Sequence, residues 1–502
     1  MTEEAGPLDM SAEEFRALGH HLVERIAGFL ETARERPASV NLSPAEARRR
    51  VGQGPLPEGG ADPRALIDEA ADLLFDGCRF NGHPRSWGYV IGSPAPIGML
   101  ADFLASAVNP NLAAWASAPL PTEIELQTVR WIAELLGYPS DCGGLLTSGG
   151  NAANFIGFLA ARRARAGWDL GREGLAAGPA RLRVYASPET HTWLDKAADL
   201  FGLGREAIRW VPTDGDLRMD ADALETRIAA DLAAGERPFL IVGSAGTVST
   251  GAVDPLPDMA AIARRHGLWL HVDGAYGAPA VLASEAPAEL QGLREADSIA
   301  IDAHKWLCVP LEAGCALVRD RQELIETFAH RPDYYHYGTG AAEEITHFHE
   351  LGPQNSRGFR ALKVWLALRA GGRAAYTDLV SRNIRQARAL YRLVAAAPEL
   401  EAATQNLSIT TFRYRPEDLD RDRDGLEDYL NALNAELVLR IQKGGEAHLS
   451  NAVVDGRFLL RVCITNFRST DADVEMLPGL VVRLGRELDR EMRPEELGKT
   501  GG

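Results

Sequence analysis

The chain has 502 residues, 46% hydrophobic and 25% charged, an ordinary globular composition with enough apolar side chains for one large core and smaller appendages. Its formal net charge of -17 argues against a nucleic-acid partner, because such binding rests on lysine and arginine neutralising phosphates. The first residues, "MTEEAGPLDMSAEEF", are acidic where an export signal is basic, and no run of roughly eighteen apolar residues follows, so the expectation is a cytoplasmic protein with no membrane partner.

Along the chain, "SAEEFRALGHHLVERIAGFLETAR" (11–34) opens with a capping-box pattern, Ser11 and Glu14, and sets Phe15, Leu18, Leu22, Ile26 and Phe29 on one helical face. A Pro/Gly-rich connector leads to a second amphipathic stretch, "RALIDEAADLLFDGC". Two helices bury little by themselves, so residues 1–80 are expected to form an arm that packs on another domain or subunit. Residues 81–375 alternate short apolar runs ("RLRVYAS", "AIRWVPT", "PFLIVGSAG", "LWLHVDGAY", "SIAIDAH", "CALVRD") with helical stretches such as "DADALETRIAADLAAG" and "DMAAIARRHG". That alternation predicts an α/β domain: a mostly parallel, mixed sheet with helices on both faces and ligands gathered beyond the strands' carboxyl ends. Residues 376–502 read as a smaller α+β domain, with "LSITTFRYR" and "RFLLRVCITNF" as strands and helices at 376–397 and 425–442.

Within this frame "LWLHVDGAYG" sets Asp273 at the end of a buried strand, and "SIAIDAHKW" delivers His304 and Lys305, one of five lysines in the chain, to the same sheet edge. A carboxylate and a lysine converging there suit pyridoxal 5'-phosphate: the amine forms a Schiff base and the acid keeps the pyridine nitrogen protonated. Upstream, "TSGGNAAN" is a turn opening a helix, with N–H groups free for a phosphate. Taken singly, Asp273 also reads as a turn residue and Lys305 as a solvated lysine; the ordered ensemble is what points to a cofactor. The five cysteines, Cys78, Cys142, Cys308, Cys315 and Cys463, show no metal-ligand spacing; reduced thiols and no metal site are expected.

These motifs, with "HPRSWGYVIGSPAPIGMLADFLASAVN", "PLPTEIELQTVRWIAELLGYP", "AGTVSTGAVDPL" and "RGFRALKVWLALRAGG", resemble the pyridoxal-phosphate-dependent group II amino-acid decarboxylases over nearly the whole chain. The resemblance implies a fold-type I pyridoxal-phosphate enzyme, an intertwined homodimer clasped by its N-terminal arm, acting on a small-molecule L-amino acid. It makes Lys305 the Schiff-base lysine, Asp273 the pyridinium partner and His304 a phosphate neighbour. It sets Ala275 against one face of the ring and His191 against the other, and Gly149, Gly150 and Asn151 in the phosphate turn. Thr247 faces the cofactor, Val248 stands where many members carry a second threonine that Ser249 could replace, and Asp302 stands where some have asparagine. In "YYHYGTGAAEEITHFHELGPQNSRGFR", counting back from "RGFR" puts Tyr334 at the family's proton-donating tyrosine, with Tyr335, Tyr337 and His347 as alternatives if the register shifts.

Trp87, Tyr89 and Trp115 are read as an aromatic entrance, with Tyr89 and Trp87 as substrate contacts, and Arg461 either binds a substrate carboxylate or pairs with a protein acid. By the same resemblance, Ser356 matches a position similar to a phenol-versus-indole determinant of plant relatives, which leans toward phenylalanine, tyrosine or dihydroxyphenylalanine. The expected reaction is α-decarboxylation of an L-amino acid, most plainly an aromatic one, to the amine and carbon dioxide. Three alternatives stay open: oxidative decarboxylation with deamination to an aldehyde, Cα–Cβ cleavage, and an inactive scaffold of the same fold.

Overall fold

The computed structural model describes residues 8–331, 345–419 and 423–497. Its centre is a seven-stranded sheet made of β1 (Gly143–Thr147), β2 (Leu182–Ala186), β3 (Ile208–Trp210), β4 (Arg237–Ser244), β5 (Trp269–Asp273), β6 (Ser298–Asp302) and β7 (Gly314–Val318). The strand order is β1-β7-β6-β5-β4-β2-β3; β7 runs antiparallel to both its neighbours and the remaining pairs are parallel. This is the α/β architecture the alternating pattern predicts.

Side chains alternate across a strand, so each strand feeds two cores. On one face Ile241, Leu270, Val272, Ile299, Ile301 and Leu317 join one apolar cluster; on the other Leu240, Val242, Trp269, Ala300 and Val318 join a second. Because both faces are covered, the strands read as continuous apolar runs. The Gly150–Arg165 helix lies across β4 to β7, and its Gly157 faces His271 and Ser298, where a Cβ would come within 2.5 Å of the imidazole. The Leu256–His266 helix packs on β4 and β5 and stops at Gly267 in a left-handed conformation (φ 67°).

A second, antiparallel sheet has the order β10-β11-β9-β8, from β8 (Leu400–Asn406), β9 (Ile409–Tyr414), β10 (Ser450–Val454) and β11 (Arg457–Cys463). Helices Leu426–Gly444 and Leu477–Met492 close its core. The helix expected to begin at 376 instead starts at Ala361 and runs to Ala396, with a break at Gly372 (φ 66°, ψ 169°). At the N-terminus Ser11 caps the Ala12–Glu31 helix by accepting from the Glu14 N–H, and this helix buries none of its side chains. Phe29 stacks on Phe75 of the Pro63–Gly77 helix (4.4 Å), and Phe15 lies against Phe103 (6.4 Å).

Candidate active site

The carboxyl ends of β4, β5 and β6 deliver Ser244, Asp273 and Asp302 to one edge of the large sheet, where a cavity of about 320 Å³ opens. Gly149, Gly150, Asn151, His191, Thr247, Asp273, Ala275, Asp302, His304 and Lys305 all line it. Ten residues spread over more than 150 positions thus meet at one place.

Local geometry explains each placement. After β6 the chain turns tightly, with the Lys305 N–H donating to the Asp302 carbonyl (3.0 Å), so Lys305 comes back over the strand end. Its Nζ lies 2.9 Å from Asp302 Oδ2. The carboxylate paired with the lysine is therefore Asp302, three residues earlier, while Asp273 occupies the neighbouring strand end. A strap through Gly92 crosses this turn, its N–H donating to the His304 carbonyl (3.2 Å); a Cβ on Gly92 would fall 1.8 Å from the Lys305 carbonyl oxygen. Only glycine permits so close a crossing.

His304 is buried; its Nδ1 meets the Ala313 backbone, 3.2 Å from the N–H and 3.3 Å from the carbonyl oxygen, and its Nε2 lies 3.7 Å from Asp302 Oδ2. Burial lowers its pKa, against the opposing pull of Asp302. His191 accepts the Trp193 N–H at Nδ1 (3.2 Å); its pKa is lowered by desolvation first, with Asp273 opposing, although the ring stays open to the cavity. Asp273 Oδ1 takes the Ala275 N–H (3.2 Å), a turn that sets Ala275 against Gly150.

Gly149, at φ 143°, adopts a conformation that favours glycine, and the Gly150–Arg165 helix begins with no side-chain cap, so its first N–H groups face the cavity unclaimed. Asp302 Oδ1 is buried there without a partner. An uncapped helix start and a lysine amine around one cavity fit an anionic, aldehyde-bearing cofactor. Among the described residues no group of three or more histidines, cysteines or acids is arranged to hold a metal.

Residues 47–415 match the pyridoxal-dependent decarboxylase conserved domain. The chain belongs to the pyridoxal-dependent decarboxylase family. The decarboxylase is 34% identical to an aromatic-L-amino-acid decarboxylase of Bacillus atrophaeus over 96% of its length and 97% of that relative's. It superimposes on a crystal structure of Oryza sativa TDC with PLP and tryptamine with a TM-score of 0.88, at 28% identity, covering 96% of this chain and 99% of that one. A Rhodiola rosea 4-hydroxyphenylacetaldehyde synthase gives 0.84 at 26% identity, covering 97% and 100%. The decarboxylase uses pyridoxal 5'-phosphate and acts on an amino acid.

Three expected substrate contacts of the decarboxylase lie elsewhere. Trp87 is a correction: it is 1% exposed in the core of the second sheet, with Nε1 donating to Ser469 Oγ (3.0 Å) and its backbone bonded to His448 and Cys463. A large apolar ring beside that sheet gains more from burial than from lining a wet cavity. Tyr89 (φ 61°) stands on the surface under the Arg79 guanidinium (5.1 Å), outside the described cavity walls. Arg461 is buried and meets no acid among the described residues; Nε donates to Ser450 Oγ (3.0 Å) and a terminal nitrogen donates to the Val248 carbonyl, so it braces a cavity wall. The hydroxyl beside Thr247 comes from Thr250 (3.1 Å) rather than Ser249. Tyr334, Tyr335 and Tyr337 lie outside the described residues. Asn154, Glu189 and Leu311 also line the cavity and went unread in the sequence. Asn154 was findable, since it stands one helical turn after Gly150.

Proposed function

We propose that this enzyme decarboxylates an aromatic L-amino acid to the corresponding amine. The observation that carries the reading is the meeting of Lys305, Asp273 and His191 on one cavity beside an uncapped helix start. The aromatic preference draws on the Bacillus relative's printed activity and on the TDC structure that holds tryptamine.

Pyridoxal phosphate, when bound, supplies the electron sink for the pair released as carbon dioxide leaves. Lys305 Nζ would form the covalent link, and the Asp302 carboxylate 2.9 Å away holds that amine in place. Asp273 would keep the ring nitrogen's proton, and His191 and Ala275 would bound the ring's two faces. The helix start at Gly149, Gly150 and Asn151 would take the phosphate with His304 nearby, and Thr247 would face the cofactor. Tyr334 delivers the proton to the substrate's Cα. Residues 1–80, 81–375 and 376–502 form arm, cofactor domain and small domain; the break at Gly372 falls close to the second boundary. The arm clasps a second copy, and the homodimer works in the cytoplasm.

Incubation with the protein amino acids and dihydroxyphenylalanine, read by mass spectrometry together with peroxide and ammonia assays, tests the reaction. Amine and carbon dioxide in equal amounts, from aromatic substrates alone, are expected. The likeness to the Rhodiola rosea aldehyde synthase motivates the second reading, in which dioxygen and water are consumed and aldehyde, carbon dioxide, ammonia and peroxide appear in equal amounts. Tyr334→Phe separates the roles: a lower amine yield with aldehyde appearing is the expected result, and an unchanged product ratio removes Tyr334 from the proton step.

A further inference from the structure

Two residues before Asp273 on the same strand stands His271, wholly buried. Successive side chains alternate, so His271 and Asp273 share a face of β5. The imidazole lies in an unbroken chain of hydrogen bonds: Trp269 Nε1 to Ser298 Oγ (2.8 Å), Ser298 Oγ to His271 Nδ1 (2.7 Å), and His271 Nε2 to Asn154 Oδ1 (2.8 Å). Ser298 and Asn154 are 1% and 2% exposed, and none of these groups has an assigned part in the reaction.

The direction of the chain follows from its end. An indole N–H can only donate, so Ser298 Oγ accepts from Trp269, and at the other end the Asn154 amide oxygen can only accept from His271 Nε2, which leaves Nδ1 to take the Ser298 proton. With burial taking the imidazole pKa down to about 3, the ring is neutral, and a neutral ring that accepts at Nδ1 must donate at Nε2. Asn154 therefore accepts with its oxygen, which leaves its NH₂ group as the open end of the chain. Its NH₂ group has no partner among the described residues and is not sealed from solvent; Asn154 lines the cavity, so that is where its donors are open.

We propose that Trp269, Ser298, His271 and Asn154 form a one-way hydrogen-bond relay that presents the Asn154 amide N–H to the cofactor cavity beside Asp273, with His271 as a positioning residue. The relay rests on the reading of this cavity as the cofactor site. The open N–H donors give this cavity a hydrogen-bond donor for an acceptor atom of the bound cofactor. The Gly150–Arg165 helix makes room for the relay at Gly157: a Cβ there would meet His271 Cε1 and Nδ1 at 2.5 Å and Ser298 Oγ at 3.0 Å. Alanine is the better helix former, so the glycine is explained by the imidazole behind it.

The test combines a spectroscopic signature with a binding measurement. In histidine-15N-labelled protein, with and without pyridoxal phosphate, His271 is expected as the neutral Nε2–H form from pH 5 to 8. A neutral Nδ1–H ring or a cation in that range overturns the proposal, and this result needs no variant to fold. Ser298→Ala removes the donor to Nδ1, and Gly157→Ala displaces the ring from the helix side. Each is expected to weaken pyridoxal phosphate binding by about tenfold, the loss of one buried hydrogen bond, measured by titrating the cofactor-free protein. Binding within twofold of wild type for both, with far-UV dichroism unchanged, also overturns the relay. Borohydride reduction of the wild-type complex reports separately on Lys305: failure to trap the cofactor there sinks the cavity assignment, whereas trapping with the wrong His271 tautomer sinks the relay alone.

Discussion

Lys305 and Asp302 illustrate how much a single residue's meaning depends on its neighbours. The amine sits 2.9 Å from a carboxylate with one oxygen buried and unpartnered, so removing the amine leaves an unpaired acid in a low-dielectric pocket. Lys305→Ala is expected to abolish borohydride trapping and turnover together; trapping that persists at wild-type level removes position 305 from the chemistry. His448 offers a pH test away from the cavity. Burial, with Arg79 adding to it, lowers its pKa to about 4 from an ordinary 6.5. The unfolded chain then binds a proton that the folded chain refuses, so stability from this group is full above pH 6.5 and falls as pH drops toward 4. Between pH 7 and pH 5 this amounts to about 2 kcal/mol. Urea unfolding of wild type and His448→Gln checks it: the acid loss shrinks by that amount in the variant. At this scale the sequence reveals residues whose roles follow from a strand end or a helix start, Asp273 and Gly149 among them. It misses Trp87, because an aromatic beside a glycine reads alike whether it lines a cavity or fills a core.

Among the elements, the crossing of the Gly92 strap over the Lys305 turn is the tightest contact around the cavity. Gly92→Ala forces the strap off the turn. The expected cost is about 1–3 kcal/mol of stability, with weaker cofactor binding, read by denaturant unfolding and cofactor titration. Wild-type values for both would show that the strap has room. The strands that the sequence displays best, β4 to β6, are buried on both faces and read as unbroken apolar runs. β8 ("LEAATQN") and β10 ("SNAVV") are hard to see, since they form the two edges of the small sheet and carry half-buried or alternating exposed side chains. The long helix's start at Ala361 was equally hidden, because Gly371 and Gly372 read as an end although the chain resumes its helix after one residue of changed direction.

For the whole molecule the notable surface is apolar. Leu66, Leu74, Leu100, Phe103, Leu104, Val108 and Leu120 are each about half exposed or more, and the Ala12–Glu31 helix buries none of its own side chains. Apolar area of this extent marks an interaction site, and the N-terminal arm that carries part of it is the expected clasp. Light scattering on the purified protein is expected to give twice the chain mass. Phe103→Glu with Leu104→Glu is expected to shift it toward the single chain, and a wild-type monomer at micromolar concentration would count against the clasp. No helix among the described residues is long and apolar enough to cross a membrane.

Local chemistry, written in the order of residues, specified the alternating α/β pattern, the strand ends that carry Asp273 and Lys305, and the glycine turn before the Gly150–Arg165 helix. Each depends on neighbours within a few positions, where backbone periodicity and turn geometry dominate. Where Trp87 and Arg461 reside, and how Trp269, Ser298, His271 and Asn154 join, were decided only once distant elements packed together. Those contacts are between side chains as much as 382 positions apart, Trp87 and Ser469 at the extreme, and their energies exist only when packing removes the water between them.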